Sequence, residues 1–461
     1  MTEVTKYEDN DLVQAQQTVI IEMPSGNAKI ISLKPDTMVN LGKFGTFQSD
    51  HLIGKPFGLS YEIISKQGEI RPVGHVSKNN NIGEYGVPKF ESMLTCAKSE
   101  ETAANNQMII DDASNQTLTH EQVLALKEKG LQGELATEEI IKMMVDSHSG
   151  FSKKTEYSKA KYIERKKKKF MKTFTPVRPT ISTINDYFFS KNPDKIKHMR
   201  IDTLSQLLSM ANVHANAKLL VVDDTQGLIV SSCLERMGGF GQLVAIHEGD
   251  HHNYDILRYM NFSKAVQSVF HPVPMTMIDQ SIPNDPFEIL TEEQEAALSE
   301  NDTISYGRRK AAWETRVKCR DALHQGNFDG LIISSSFQPE TVIKELLQYV
   351  NGSRPIVVYS FNKEVLLQTA YWMRRSSDFL NAELTESSMR EYQVLPGRMH
   401  PNMNMSCGGG YLLSTLRVID CPYDPSLVKK SAGDSNDRRS KKKKLSPAAA
   451  KTPTEETATE N

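Results

Sequence analysis

The residues best placed to do chemistry in this chain stand where apolar runs end. LLVVD (219–223) is followed by Asp223-Asp224-Thr225-Gln226-Gly227. A strand-to-helix turn at this point in a dinucleotide or cofactor-binding fold carries several glycines, because the backbone must approach the ligand and open onto a helix N-terminus. Here one glycine stands beside two carboxylates, which would repel an anionic ligand and fill its space. Glu248, after QLVAIHE (242–248), holds the position of an acid that would bind ribose hydroxyls. Without the turn it reads as a remnant. GLIISSS (330–336) ends in Ser334-Ser335-Ser336-Phe337, and a serine with no histidine beside it is a poor nucleophile or base. These residues predict no catalytic site and no bound cofactor.

His247-Glu248-Gly249-Asp250-His251 matches the H-E-x-x-H zinc pattern in letters alone. That pattern needs both imidazoles on one helix face. Here it follows an apolar strand and contains Gly249 and Asp250, so a strand end and loop are expected, and no metal. The five cysteines, Cys96, Cys233, Cys319, Cys407 and Cys421, are odd in number and widely spaced. They suit neither a disulfide framework nor a cysteine zinc site.

Basic residues are bunched although the net charge is only −2. KKTEYSKAKYIERKKKKFMK (153–172) reads as one exposed helix with little apolar face. Its Lys161, Arg165, Lys166, Lys167, Lys168 and Lys169 suit phosphates read without regard to sequence; a solvated face or a nuclear import signal competes with that reading. Lys195, Lys197, His198 and Arg200 form a second cluster. Arg438-Arg439-Ser440-Lys441-Lys442-Lys443-Lys444 forms a third, within a tail (427–461) expected to be disordered. That tail motif suits nuclear import or nonspecific RNA contact.

The elements that must position these groups fall into two parts. A hydrophobic content of 38% over 461 residues suits two globular domains. Residues 18–118 hold short β-rich runs broken by Gly, Pro, Asn and Asp, as in a small barrel-like domain. Residues 1–17 are expected to be disordered, and the acidic start predicts no signal peptide. No run of about 18 apolar residues occurs, so no membrane span is expected. A helix start at Thr119, a helix over 137–146 and the basic helix make 119–180 a helical basic linker, with Pro176 and Pro179 stopping the helix. From 181 to 426 strands and helices alternate, the mark of a parallel sheet flanked by helices. The strands are 219–223, 242–248, 265–270, 330–336 and 355–360. The helices are 228–237, 253–260, 307–324, 340–350 and 363–376. REYQVLPG (390–397) and YLLSTLRVI (411–419) are expected to pair as an antiparallel hairpin at the sheet's end. The fold class is thus a β-barrel-like domain followed by a Rossmann-like α/β domain without its cofactor loop.

Five blocks carry a resemblance: LGKFGTFQSDHLIGKPFGLSYEI (41–63), NNQMIIDDASNQTLT (105–119), KYIERKKKKF (161–170), KIKHMRIDTLSQLL (195–208) and YQVLPGRMHPNMNMSCGGGYLLS (392–414). Over most of 18–420 the chain resembles the non-catalytic subunit of the eukaryotic tRNA (adenine-58-N1) methyltransferase. The resemblance implies a methyltransferase-type second domain and a homologous catalytic partner that holds S-adenosylmethionine. It implies a dimer of such heterodimers that grips tRNA and makes 1-methyladenosine; the tail motif is what suggests the nucleus. It also admits another role, a tRNA-binding scaffold of translation initiation. In this frame the RNA contacts expected are the six residues of the basic helix with Lys195, His198 and Arg200. To these are added Arg398 and His400 on the loop of the terminal hairpin, and Asn105, Asn106, Asp112, Asn115 and Gln116, which suit unpaired bases or ribose. The terminal hairpin is the expected partner surface.

Overall fold

The computed structural model describes residues 11–65, 67–73, 119, 121–123, 125–126, 137–149, 151, 154–170, 172–281, 287–291, 294, 299–395, 398–405 and 408–419. Near the N-terminus lie β1 (Thr18–Glu22), β2 (Ala28–Ser32), β3 (Met38–Asn40), β4 (Thr46–Gln48), β5 (Tyr61–Ile63) and β6 (Ile70–Pro72). Their sheet is completed from far along the chain: β7 (Thr173–Val177) inserts between β1 and β5, giving the order β2-β1-β7-β5-β6, with β3–β4 as a separate pair. This corrects the expectation of a helical linker running to residue 180. Pro176 lies within β7, facing Ile21 of β1, and does not terminate a helix. Phe174 stacks on Phe47 at 4.5 Å and closes a core with Val19, Ile21, Leu33 and Leu52. Residues 11–17 are also placed differently from expectation. Val13 is buried in that core, its N–H donates to the Lys55 carbonyl and its carbonyl accepts from Gly54.

The helix Thr137–Asp146 is as expected and buries Ile140, Ile141 and Met144. Residues 121–123 and 125–126 are helical, and the Thr119 hydroxyl accepts from Gln122 N–H, a helix-start contact. The basic helix runs Glu156–Phe170.

The second part is a seven-stranded sheet: β8 (Lys218–Asp223), β9 (Gln242–His247), β10 (Phe270–Pro274), β11 (Gly330–Ser334), β12 (Pro355–Ser360), β13 (Phe379–Ser388) and β16 (Gly408–Arg417). The order is β10-β9-β8-β11-β12-β16-β13; β8 to β12 are parallel, and β16 runs antiparallel to both its neighbours. Alternate strand residues feed two cores. Leu219, Val221, Leu243 and Ala245 pack with the helices Ile181–Lys191, Ile201–Met210 and Leu228–Met237. Leu220, Val222, Val244 and Ile246 pack with Glu300–His324, Pro339–Leu346 and Lys363–Arg375. Burial on both faces explains runs such as LLVV, each side chain contributing about 1.5–3 kcal/mol.

Five expectations change. AVQSVF is not a strand: Lys264–Ser268 is helical and β10 follows at Phe270–Pro274. Pro272 and Pro274 are tolerated because β10 pairs with β9 alone, at the sheet edge. Residues 253–260 form only a short 3-10 turn, Asp255–Arg258, and 340–350 an α-helix over Pro339–Leu346 with a 3-10 turn after it. The long helix begins earlier, at Glu300, where the Ser299 hydroxyl caps Asp302 N–H. The terminal pairing is β13 with β16; residues 392–395 form β14, which pairs with β15 (Arg398–Pro401) as a separate small hairpin. The loop between the long strands had enough alternation to form its own ribbon.

Candidate functional site

The C-terminal ends of β8, β9 and β11 form the crevice where this fold class takes its ligand. Its interior is closed by the chain itself. Asp223 is buried. Its Oδ1 accepts from the Thr225 N–H at 2.6 Å and from the Thr225 hydroxyl, and its Oδ2 accepts from Val230 N–H at 3.1 Å. Ile229 N–H reaches the Thr225 hydroxyl at 3.4 Å. Amides at the start of the Leu228–Met237 helix, which a phosphate or carboxylate would otherwise engage, are therefore satisfied internally. Burial holds the Asp223 carboxyl above the usual carboxylate range, with the Thr225 and Val230 hydrogen bonds opposing it only in part.

Tyr254 fills the neighbouring space. Gly227 has φ +84°, and a Cβ there would stand 2.8 Å from the Tyr254 Cβ. The Tyr254 hydroxyl donates to the Ile246 carbonyl at 3.1 Å, and Ile256 N–H donates to the Gln226 carbonyl at 3.2 Å. The loop after β9 is thereby tied down onto the loop after β8. Across the mouth, Ser336 donates to Asp224 Oδ2 through its N–H (3.1 Å) and its hydroxyl (2.6 Å). Lys197 Nζ donates to the Ser336 hydroxyl at 2.8 Å and stands 3.6 Å from Asp224 Oδ2. Steric closure and these pairings do not fit S-adenosylmethionine. Glu248 is exposed beyond the end of β9, apart from this network. His247 ends β9 and Gly249 turns the chain with φ +76°, so the H-E-x-x-H letters do not lie on a helix.

Sequence reasoning missed the anchor of the mouth. Lys197 and His198 are consecutive non-glycine residues with positive φ, 52° and 57°, a conformation that needs support. Buried Tyr359 supplies it, donating to the Lys197 carbonyl at 2.8 Å and lying 3.3 Å from the Gly409 carbonyl oxygen. Gly410, at φ +90°, admits the Tyr359 ring, which a Cβ would meet at 2.6 Å. The run CGGGY (407–411) was the available signal.

The expected RNA-contact residues are dispersed. Lys161, Arg165 and Lys169 are exposed on the basic helix. Lys166 is half-buried, with Nζ 5.1 Å above the Tyr162 ring. Burial, then the charge of Lys169, lower its ammonium below the usual lysine range. Tyr162 packs edge-on against His148 at 5.0 Å, so the helix is seated on the preceding segment. Lys167 and Lys168 belong to the helix, but their side chains, like residues Asn105, Asn106, Asp112, Asn115 and Gln116, lie outside the described residues. Lys195 is exposed. His198 stacks on Phe361 at 4.6 Å, and its Nε2 is 2.7 Å from Asp194. Arg200 corrects the prediction. It is buried, its guanidinium spans both oxygens of Asp202 at 2.6 and 2.7 Å, and it donates to the Ser387 carbonyl at 3.3 Å. Its charge is met by Asp202, and its contact with the Ser387 carbonyl ties the start of the Ile201–Met210 helix to β13.

The small hairpin replaces the expected terminal one as the exposed feature. Register pairs Tyr392 with Pro401, Gln393 with His400, Val394 with Met399 and Leu395 with Arg398. Tyr392, Val394 and Met399 share one face and are 57%, 70% and 71% exposed. His400 is exposed on the opposite face. The three side chains form a contiguous exposed apolar strip on the ribbon.

Together these features define a methyltransferase-type α/β domain whose cofactor crevice is filled, joined to a β-sheet domain. The model of the Gcd10p family matches residues 12–305, and the chain belongs to that family. It is similar to the tRNA (adenine(58)-N(1))-methyltransferase non-catalytic subunit of Debaryomyces hansenii, 34% identical over 92% of this chain and 90% of that one. The like-named mouse protein is 29% identical over 83% of this chain and 84% of its own. The chain is accordingly a non-catalytic member. The solved tRNA (m1A58) methyltransferase TrmI of Aquifex aeolicus aligns with 89% of this chain and all of its own, at 10% identity and a TM-score of 0.43, a likeness too loose to bear on function.

Proposed function

We propose that this chain is the tRNA-gripping subunit of a heteromeric tRNA 1-methyladenosine-58 methyltransferase, assembled as a dimer of heterodimers with a catalytic subunit that holds S-adenosylmethionine. The observation that carries the reading is an intact seven-stranded scaffold whose ligand crevice is occupied by its own Asp223, Asp224 and Tyr254. Such a domain supplies shape and surface while chemistry proceeds elsewhere. The apolar face of Tyr392, Val394 and Met399 supports a protein partner, and the Glu156–Phe170 helix supports phosphate contact. In a folded tRNA the target base is stacked and must be exposed before its N1 can react; holding the tRNA body would be this subunit's share. The basic tail at 438–444 supports action in the nucleus.

Co-expression with the candidate catalytic subunit, followed by mass measurement and a methylation assay, tests the reading. A stoichiometric complex active only when both chains are present is expected. Transfer of label from S-adenosylmethionine to tRNA by this chain alone overturns the non-catalytic role. Co-purification with initiation factors alone would favour the translation scaffold.

A further inference from the structure

The loop that closes the crevice also reaches the other domain. Thr18 opens β1, and its N–H and carbonyl face the side on which β7 lies, since the preceding Gln17 carbonyl accepts from Leu33 N–H on the β2 side. Register pairs Ile20 with Val177 and Glu22 with Thr175. Two places before Ile20 is Thr18, and two places after Val177 is Pro179. Proline has no N–H to give, and β7 has already ended at Val177. Asn261, on the segment after β9, fills that position. Its Oδ1 accepts from Thr18 N–H and its Nδ2 donates to the Thr18 carbonyl, both at 2.8 Å. The Thr18 hydroxyl donates to the Arg258 carbonyl at 3.4 Å. One side-chain amide thus makes the pair of bonds that a strand would have made, across two domains.

The same segment carries Tyr254, buried in the crevice. A 3-10 turn, Asp255–Arg258, joins it toward Asn261. Ile256 in that turn is fully buried, and its N–H donates to the Gln226 carbonyl. Leu257, Tyr259 and Phe262 pack in one apolar cluster with Ile20 of β1, Ile30 of β2 and Val177 of β7. This face of the N-terminal sheet is therefore part of the α/β domain's core. Asn261 holds φ +50°, the left-handed conformation in which asparagine is enriched. We propose that residues 254–261 are a strap that couples the closed crevice to the N-terminal sheet and fixes the angle between the two domains. A short turn anchored at both ends has little slack, so freeing one end loosens the other. The basic helix leads into β7 of that sheet, whereas Lys195 belongs to the α/β domain. A fixed angle lets one polyanion engage both without the entropic cost of aligning two bodies. That consequence, unlike the strap, rests on the RNA-holding role.

Hydrogen exchange in the full chain, read by mass spectrometry, tests the strap with two mild substitutions. Asn261→Gly keeps the left-handed backbone and removes the carboxamide. Tyr254→Phe keeps the ring and removes its bond to the Ile246 carbonyl. Coupling between two ends is reciprocal. Asn261→Gly should therefore speed exchange of Ile256 N–H at the crevice, and Tyr254→Phe that of Thr18 N–H in β1, each roughly threefold or more. A far end left unchanged in either variant overturns the strap. Exchange in β8 and β11 should stay as in the wild type; equal acceleration there means that the whole fold has loosened, and it overturns the strap as well. Asn261→Gly should also weaken tRNA binding about threefold with the salt slope unchanged. An unchanged affinity overturns the alignment role. Failure of the wild type to bind tRNA at all sinks the RNA-holding role, while the exchange results still decide the strap.

Discussion

The crevice at the end of β8 and the small hairpin β14–β15 are opposites. In the crevice, polar groups are turned inward and matched: Asp223 caps a helix of its own domain, and Asp224 is held by Ser336 and Lys197. On the hairpin, apolar groups are turned outward, with Val394 and Met399 paired across the ribbon and about 70% exposed. The difference separates a region that satisfies its own groups from one that leaves apolar surface uncovered. Closing a ligand site removes unpaired buried groups and adds stability. Leaving Val394 and Met399 bare adds none to the isolated chain, so an association surface is the economical account of them.

The comparison is tested most strongly at Tyr254. Tyr254→Ala should lower unfolding stability by about 3–5 kcal/mol, measured in urea, because a fully packed ring is lost. Calorimetry with S-adenosylmethionine should still register no binding, since Asp223 and Asp224 remain. Cofactor binding in this variant would mean that Tyr254 alone closed the crevice. Arg200→Ala should cost about 3 kcal/mol by leaving Asp202 and the Ser387 carbonyl without their partner. An unchanged melting temperature with weakened tRNA binding would return Arg200 to the RNA surface.

On the other side of the comparison, Val394→Ser with Met399→Ser should leave the melting temperature of the chain within about 1–2 °C. Association with the catalytic partner should weaken by about 2 kcal/mol, or roughly 30-fold in Kd by titration. Loss of stability without loss of association would make the hairpin part of the fold. Replacing Lys166 to Lys169 by Ala should flatten the plot of log K for tRNA against log salt by about 0.9 for each phosphate contact removed. An unchanged slope would remove the helix from the RNA surface.

The smallest effects are in pH dependence, and they have opposite signs. Asp202 is held below the usual carboxylate range, first by the Arg200 hydrogen bond. Its stabilisation is present above the unfolded pKa and is lost as pH falls through the folded value, so Asp202→Asn should flatten the acid limb below about pH 4. Asp223 is raised by burial. Its contribution is full below the unfolded pKa and declines as pH rises toward the folded value. Asp223→Asn should therefore flatten the decline above about pH 4 in urea titrations.

Much of the α/β domain was legible because buried parallel strands announce themselves. PIVVYS and LIVSSCLERM match their elements residue for residue. The missing glycines after β8 also announced a closed crevice, since that turn has a known chemical requirement. Other features were hidden for physical reasons. β10 carries Pro272 and Pro274, which pattern reading assigns to a loop and only an edge position permits. Tyr254 and Tyr359 act through contacts across loops, which spacing along one segment does not reveal. Arg200 sat among basic residues and looked like one more cation; its ion-pair partner Asp202 is two residues on, but its burial depends on β13, whose Ser387 is 187 positions away.

The insertion of β7 between β1 and β5 makes the basic segment something other than a tether between two bodies. Both its ends are fastened to one sheet: β6 enters it and β7 leaves it. On the ribosome, residues 18–72 must wait about a hundred residues for their central strand, so this sheet closes late and its nucleus is long-range. A protease cut within that excursion would therefore separate the chain in sequence and leave the two fragments knitted together by β1, β7 and β5, co-migrating until denatured.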